Sequence, residues 1–249
     1  MNPDQLRDVV TQALAKGAEA AEAVFAERQS LSVGVRLGEL EEVEREESQD
    51  LGLRVLFGRR QASVSGSDTS PEGLRKLVER VTAMARLAAE DPYAGFAPRD
   101  RLAADDRPDF DLFDPTEPSA EALEARALRA EQAARDYPKV TNSSGAAASW
   151  SSSVWRYATS EGFYGEQRGT ASSLSAQAIA GEGAQMEQGH DGRSTRWMAD
   201  LPEPEAIGAE AGRRAAESLN ARKIASMTAP VIFENRLSGA LISPLLGAI

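Results

Sequence analysis

Between Tyr137 and Arg193 the chain is dominated by serine, alanine and glycine, and this stretch limits the possible folds more than any other. Large aliphatic residues are scarce across "TNSSGAAASWSSSVWRYATSEGFYGEQRGTASSLSAQAIAGEGAQMEQGHDGR". Gly162, Gly165, Gly169, Gly181, Gly183, Gly189 and Gly192 punctuate short alternating runs. The pattern predicts several antiparallel strands in a meander. Their small side chains would let another backbone or sheet approach closely.

The flanking segments read as mixed helices and strands. "NPDQLRDVVTQALAKG" carries Leu6, Val9, Val10, Ala13 and Leu14 on one helical stripe and ends at Gly17. Leu31, Val33, Val35 and Leu37 alternate as in a strand with one buried face. The acidic run from Glu39 to Glu47 reads as a solvated strand edge or loop, because hard-metal sites draw carboxylates from converging segments. "LGLRVLFGRRQASV" predicts a hairpin turning at Gly58-Arg59-Arg60. Ser70 and Pro71 suit N-cap and N1 of a helix with an apolar stripe through Leu74, Val78, Val81 and Ala85. A second helix starts after Ser119, and a third spans roughly Pro204 to Leu219. "APVIFEN" reads as a short buried strand. The expected fold class is α+β: helices packed on antiparallel sheets, then the Gly/Ser-rich meander. The expected division is a domain over 1–200, with an irregular proline- and aspartate-rich linker at 91–118, followed by a linking helix and the start of a further domain over 201–249.

Composition narrows the function classes. Hydrophobic residues make up 41% and charged residues 27%, as in a globular chain with a sizeable core. The net charge of −11 disfavours phosphate backbones, so no nucleic-acid partner is expected. With no cysteine, disulfides, thiolate metal sites and cysteine nucleophiles are excluded. No apolar run is long enough for a membrane span, and no signal peptide is visible, so a cytoplasmic location without membrane contact is expected.

No complete active site can be assembled from the sequence. The single histidine, His190, lies beside Asp191 in a glycine-flanked stretch, whereas zinc sites normally need two or three His or Cys ligands. No G-x-S-x-G elbow supports a Ser-His-Asp triad. Asp105, Asp106, Asp109, Asp111 and Asp114 lack the glycine and terminal glutamate of a calcium loop. No phosphate-binding glycine loop is present. Trp150, Trp155, Tyr157, Phe163 and Tyr164 suggest cross-strand packing, or a surface that takes up an extended peptide by strand addition.

Several stretches together resemble a known family. "GLRVLFGRRQASVSGSDTSPEGLRKLVERVTAMARLAAEDPYAGFA", "TNSSGAAASW", "YATSEGFYGE", "SLSAQAIAGEGAQMEQGHD" and "IGAEAGRRAAESLNARKIASMTAPVIF" are similar, in this order, to the TldD/TldE metalloprotease family, on its PmbA (TldE) side. One departure is "TSEGF", where asparagine is expected before the glycine. The resemblance implies a cytoplasmic heterodimer that degrades or processes unfolded peptides. It places zinc in the TldD-like partner, on an H-E-x-x-x-H motif that this chain lacks. No catalytic, cofactor-binding or metal-binding residue of this chain is therefore assigned. The same resemblance makes "LISPLLGAI", with Leu241, Ile242, Leu245, Leu246 and Ile249 at near-helical spacing, the expected middle of a longer protein, and predicts an aggregation-prone chain. Two other readings are a stand-alone peptide-binding or regulatory protein of the gyrase-modulator type, and an enzyme whose active site lies in a C-terminal half.

Overall fold

Six long strands form one antiparallel sheet in the order β3-β2-β1-β4-β5-β6: β1 Ala20–Arg36, β2 Glu39–Phe57, β3 Arg60–Gly66, β4 Val140–Thr159, β5 Tyr164–Ala180 and β6 Glu187–Thr195. The computed structural model describes residues 1–101 and 108–248. Four helices complete the first compact unit, Met1–Leu219: α1 Pro3–Ala15, α2 Pro71–Leu87, α3 Ala120–Arg135 and α4 Pro204–Ser218. The architecture is α+β, as the periodicities predict.

Period-two burial decides where the helices sit. In β1, Ala21, Ala23 and Phe25 are buried near its start, and Leu31, Val33 and Val35 near its end. All are odd-numbered, so they share one sheet face. α1 and α2 cover one end of that face around Phe25, Leu51, Leu53 and Val55. α3 and α4 cover the other end around Leu31, Val33, Trp150 and Leu174. Two cores thus sit side by side on one continuous sheet.

Local signals fix the helix starts. Asn2 and Gln5 form a reciprocal capping box on α1, Ser70 accepts from the Gly73 N–H, and Ser119 accepts from the Ala122 N–H. The meander's small residues do what their size predicts. Ala146, Ala148, Ala176, Ala178 and Ala180 face Ala127, Ala130, Ala211 and Ala215, so helix backbones descend onto the sheet. A Cβ at Gly189 would lie 2.2 Å from the Ala215 nitrogen.

Two readings gain precision. The strand read around Leu31–Leu37 begins at Ala20, and the acidic run is the outer half of β2. The helix at Pro204–Ser218, read as a link to a further domain, packs within the first unit against α3 and β6. The reading of "APVIFEN" as a short buried strand is overturned: its residues are exposed and join no ladder, since the described residues of the second unit include no strand to pair with.

That second unit begins at Asn220 and holds one 3-10 turn, Asn235–Leu237, and a short helix α5, Gly239–Gly247, with Pro244 inside it. Ile224, Val231, Ile232, Phe233, Leu241, Ile242, Leu245 and Leu246 are all exposed. A contiguous apolar segment of this kind drives self-association. The chain is expected to elute as polydisperse oligomers in light-scattering chromatography, and removal of residues 220–249 to restore a single species. A monodisperse parent chain would refute this.

Candidate functional site

The face opposite the helices is floored by small side chains. Register alignment places Ser30 and Ser32 of β1 beside Ser151 and Ser149 of β4, and these beside Ala171 and Ser173 of β5. All are half-buried. The Ser149 and Ser173 hydroxyls lie 2.7 Å apart. These small side chains let another backbone approach the face closely.

At one end of this face lies a mainly apolar depression of about 320 Å³, whose lining includes Val24, Leu53 and Val64 beside Glu22 and Arg54. Arg54 organises it. Its guanidinium donates to the Gly95 carbonyl at 3.0 Å and stands over the Phe96 ring at 4.5 Å. Arg54 Nε is 2.8 Å from Glu22 Oε1, yet its N–H is not aligned on that oxygen, so the contact is an ion pair rather than a directed hydrogen bond. The Tyr157 hydroxyl donates to the other Glu22 oxygen. Burial, then the neighbouring Glu22 carboxylate, push the Tyr157 phenol upward, so it stays protonated and a donor. The sequence conceals this trio because Glu22, Arg54 and Tyr157 are far apart in the chain. Only strand register brings them to one face.

The aromatic residues that look clustered in sequence are split between faces. Trp150 is buried in the α3/α4 core. Tyr164 lies on the helix side, with Arg7 4.9 Å above its ring. Trp155 is exposed on the open face, and Tyr157 packs against Phe163 with ring centroids 5.8 Å apart. Alternation along β4 and the turn into β5 separate them.

His190 and Asp191 are adjacent in β6 and project to opposite faces, so they cannot form the His–Asp half of a triad. His190 is exposed, whereas Asp191 is buried and ion-paired with Arg193 and Arg214 at 3.0 Å each. Asp105 and Asp106 lie outside the described residues. Asp114 accepts from the Met198 and Thr116 N–H groups at 2.9 Å; these, Met198 first, hold its carboxyl below the usual range, and it anchors the linker. Among the described residues, no three His, Cys, Asp or Glu side chains are grouped to hold a metal ion.

Asp191 belongs to a network that fastens α4 to β6. Glu210 accepts from Arg213 and Arg214 at 2.7 Å, and these two arginines, Arg213 first, hold its carboxyl at about 2. A depressed carboxyl contributes stability that is present above its unfolded value and lost as pH falls through the folded one. The chain is therefore expected to lose stability between about pH 4.5 and pH 2. Glu210→Gln should flatten that part of the profile in acid-titrated thermal melts, and an unchanged profile would contradict the assignment.

Comparison with known proteins places the chain in a family. The PmbA/TldA metallopeptidase domain 1 matches residues 21–85, and the PmbA/TldA metallopeptidase central domain matches residues 113–219. The chain belongs to the PmbA/TldD metallopeptidase family, as its motifs imply. It is 37% identical over 238 residues to Metalloprotease PmbA of Escherichia coli O157:H7, covering 95% of this chain and 53% of that protein. It is 30% identical to the Haemophilus influenzae PmbA homolog, covering 98% of this chain and 55% of that protein. The chain thus spans about half the length of the relatives it matches. A crystal structure from Bacteroides thetaiotaomicron, described as a proposed modulator of DNA gyrase, shares the fold with a TM-score of 0.91 at 23% identity, over 99% of this chain and 56% of that one. TldE from Thermococcus kodakarensis matches with a TM-score of 0.72 at 17% identity, over 85% and 47%.

Proposed function

We propose that this chain is the TldE-type, non-catalytic subunit of a cytoplasmic zinc metalloprotease that degrades or processes unfolded peptides. A TldD-like partner holds the zinc, which supplies the hydrolytic chemistry. This chain's open sheet face and free strand edges bound the peptide's path. The observation that carries the reading is the 37% identity to Metalloprotease PmbA across 95% of the chain. The small-residue floor supports it, because a subunit that handles many peptides gains most from backbone contact without side-chain selection.

The test is hydrolysis of casein and of an unfolded peptide by the full-length protein, alone and mixed with a TldD-like partner, with and without chelator, together with metal analysis of each subunit. Activity only in the mixture, abolished by chelator, with zinc on the partner alone, is the expected result. Activity from this protein alone would overturn the subunit assignment. A second reading, a regulatory protein without protease activity, is favoured by the gyrase-modulator description of a structural relative. A mixture that never cleaves peptide would favour it. The net charge of −11 argues that such regulation would act through protein rather than DNA.

A further inference from the structure

Among the described residues, the outer half of β2 is an unpaired strand edge. β3 pairs only with Leu51–Phe57, leaving Glu39–Asp50 bonded to β1 on one side alone. Among the described residues, no backbone hydrogen bond reaches this edge from another element. A bulge at Gly34/Val35 disturbs the pairing near the turn, but from Val43 to Asp50 the register with β1 is continuous. That is about 26 Å of regular strand, with every second residue turning its N–H and C=O outward.

The edge is charged in one sense. Glu39, Glu41, Glu42, Glu44, Glu46, Glu47 and Asp50 lie along it. The one cation, Arg45, is held by Glu47 and Glu117 at 3.2 Å each. Alternation sorts the side chains on the open face: Glu44 and Glu46 stand opposite Ser32 and Ser30, then Ser48 opposite Arg28, then Asp50 opposite Ala26. Val43, about half exposed, stands on the other face. A second copy of this edge would be repelled. A strand with basic residues on its matching face would meet carboxylates at Glu44, Glu46 and Asp50, with Ser48 between the last two, while pairing its backbone.

We infer that the β2 edge from Val43 to Asp50 captures an extended basic protein segment by strand addition, with alternate lysines or arginines over Glu44, Glu46 and Asp50. The inference does not rest on the protease reading, since capture needs neither partner nor metal.

Fluorescence anisotropy with a labelled alternating Lys-Thr nonapeptide tests it on the full chain. Three comparisons are needed: the same peptide with proline replacing its central threonines, an alternating Glu-Thr peptide, and the E44Q/E46Q double variant, whose exposed side chains leave the melting temperature unchanged. Saturable binding of the Lys-Thr peptide is expected. It should weaken about tenfold or more with the proline peptide, which cannot pair, and about fivefold in E44Q/E46Q. It should weaken further at high salt and vanish for the Glu-Thr peptide. Equal affinity for the proline peptide would reduce the effect to charge adsorption and overturn strand addition. Absence of Lys-Thr binding, or no loss in E44Q/E46Q, would overturn the site.

Discussion

Replacing Glu131 with alanine is expected to destabilise the fold by about 3 kcal/mol. Glu131 lies on α3 with 1% of its surface exposed. Its two carboxyl oxygens accept from the Leu37 and Gly38 N–H groups at 2.7 and 2.8 Å. Those residues form the β1–β2 turn, and both adopt positive φ, 55° and 83°. Leucine is disfavoured there, so the turn is held by its partners rather than by its own preference. Alanine would leave two donors without acceptors and a void where the side chain was, each deficit costing about 1–3 kcal/mol. The melting temperature should fall by roughly 6–12 °C. Glu131→Gln keeps one acceptor and should lose about half as much. A Glu131→Ala variant that melts with the parent would show that the turn holds itself.

Gly208→Val should be at least as damaging, by about 3 kcal/mol or more. Gly208 is where α4 crosses α3. A Cβ there would lie 1.9 Å from the Ala130 carbonyl oxygen and 2.9 Å from the Ala134 nitrogen. Both obstacles are backbone atoms of a helix that is itself pressed on the sheet, so no rotamer change relieves the clash. α4 would have to lift, exposing Ile207, Ala211 and Ala215, which are now buried. Gly208→Ala should show a reduced version of the same loss, and Gly95→Ala, where a Cβ meets nothing within 4 Å, should be neutral within about 0.5 kcal/mol. Denaturant unfolding of the three variants ranks them. A neutral Gly208→Val would mean that the helices do not meet at this distance.

The same contacts explain what was legible beforehand. Helix starts were readable because capping is a matter of a few neighbouring residues, as at Ser70 and Ser119. The strands were readable where one face is buried, since Leu31, Val33 and Val35 alternate with polar neighbours. The meander's scarcity of bulk correctly announced close approach, though not by what. That α4 folds back onto Gly189 of the preceding strand is decided by its packing against α3 and β6, which no local pattern encodes.

The sequence by itself determined the class of fold, the helices with their caps, the acidic strand and the family, because propensity, periodicity and motif are written in residues close along the chain. Tertiary structure alone decided which residues meet: Glu22 with Arg54 and Tyr157, His190 turned away from Asp191, and β3 paired with the inner half of β2 only. Register is the physical reason. A shift of one residue would send every side chain of a strand to the opposite face, and that choice is made by the packing of the whole sheet.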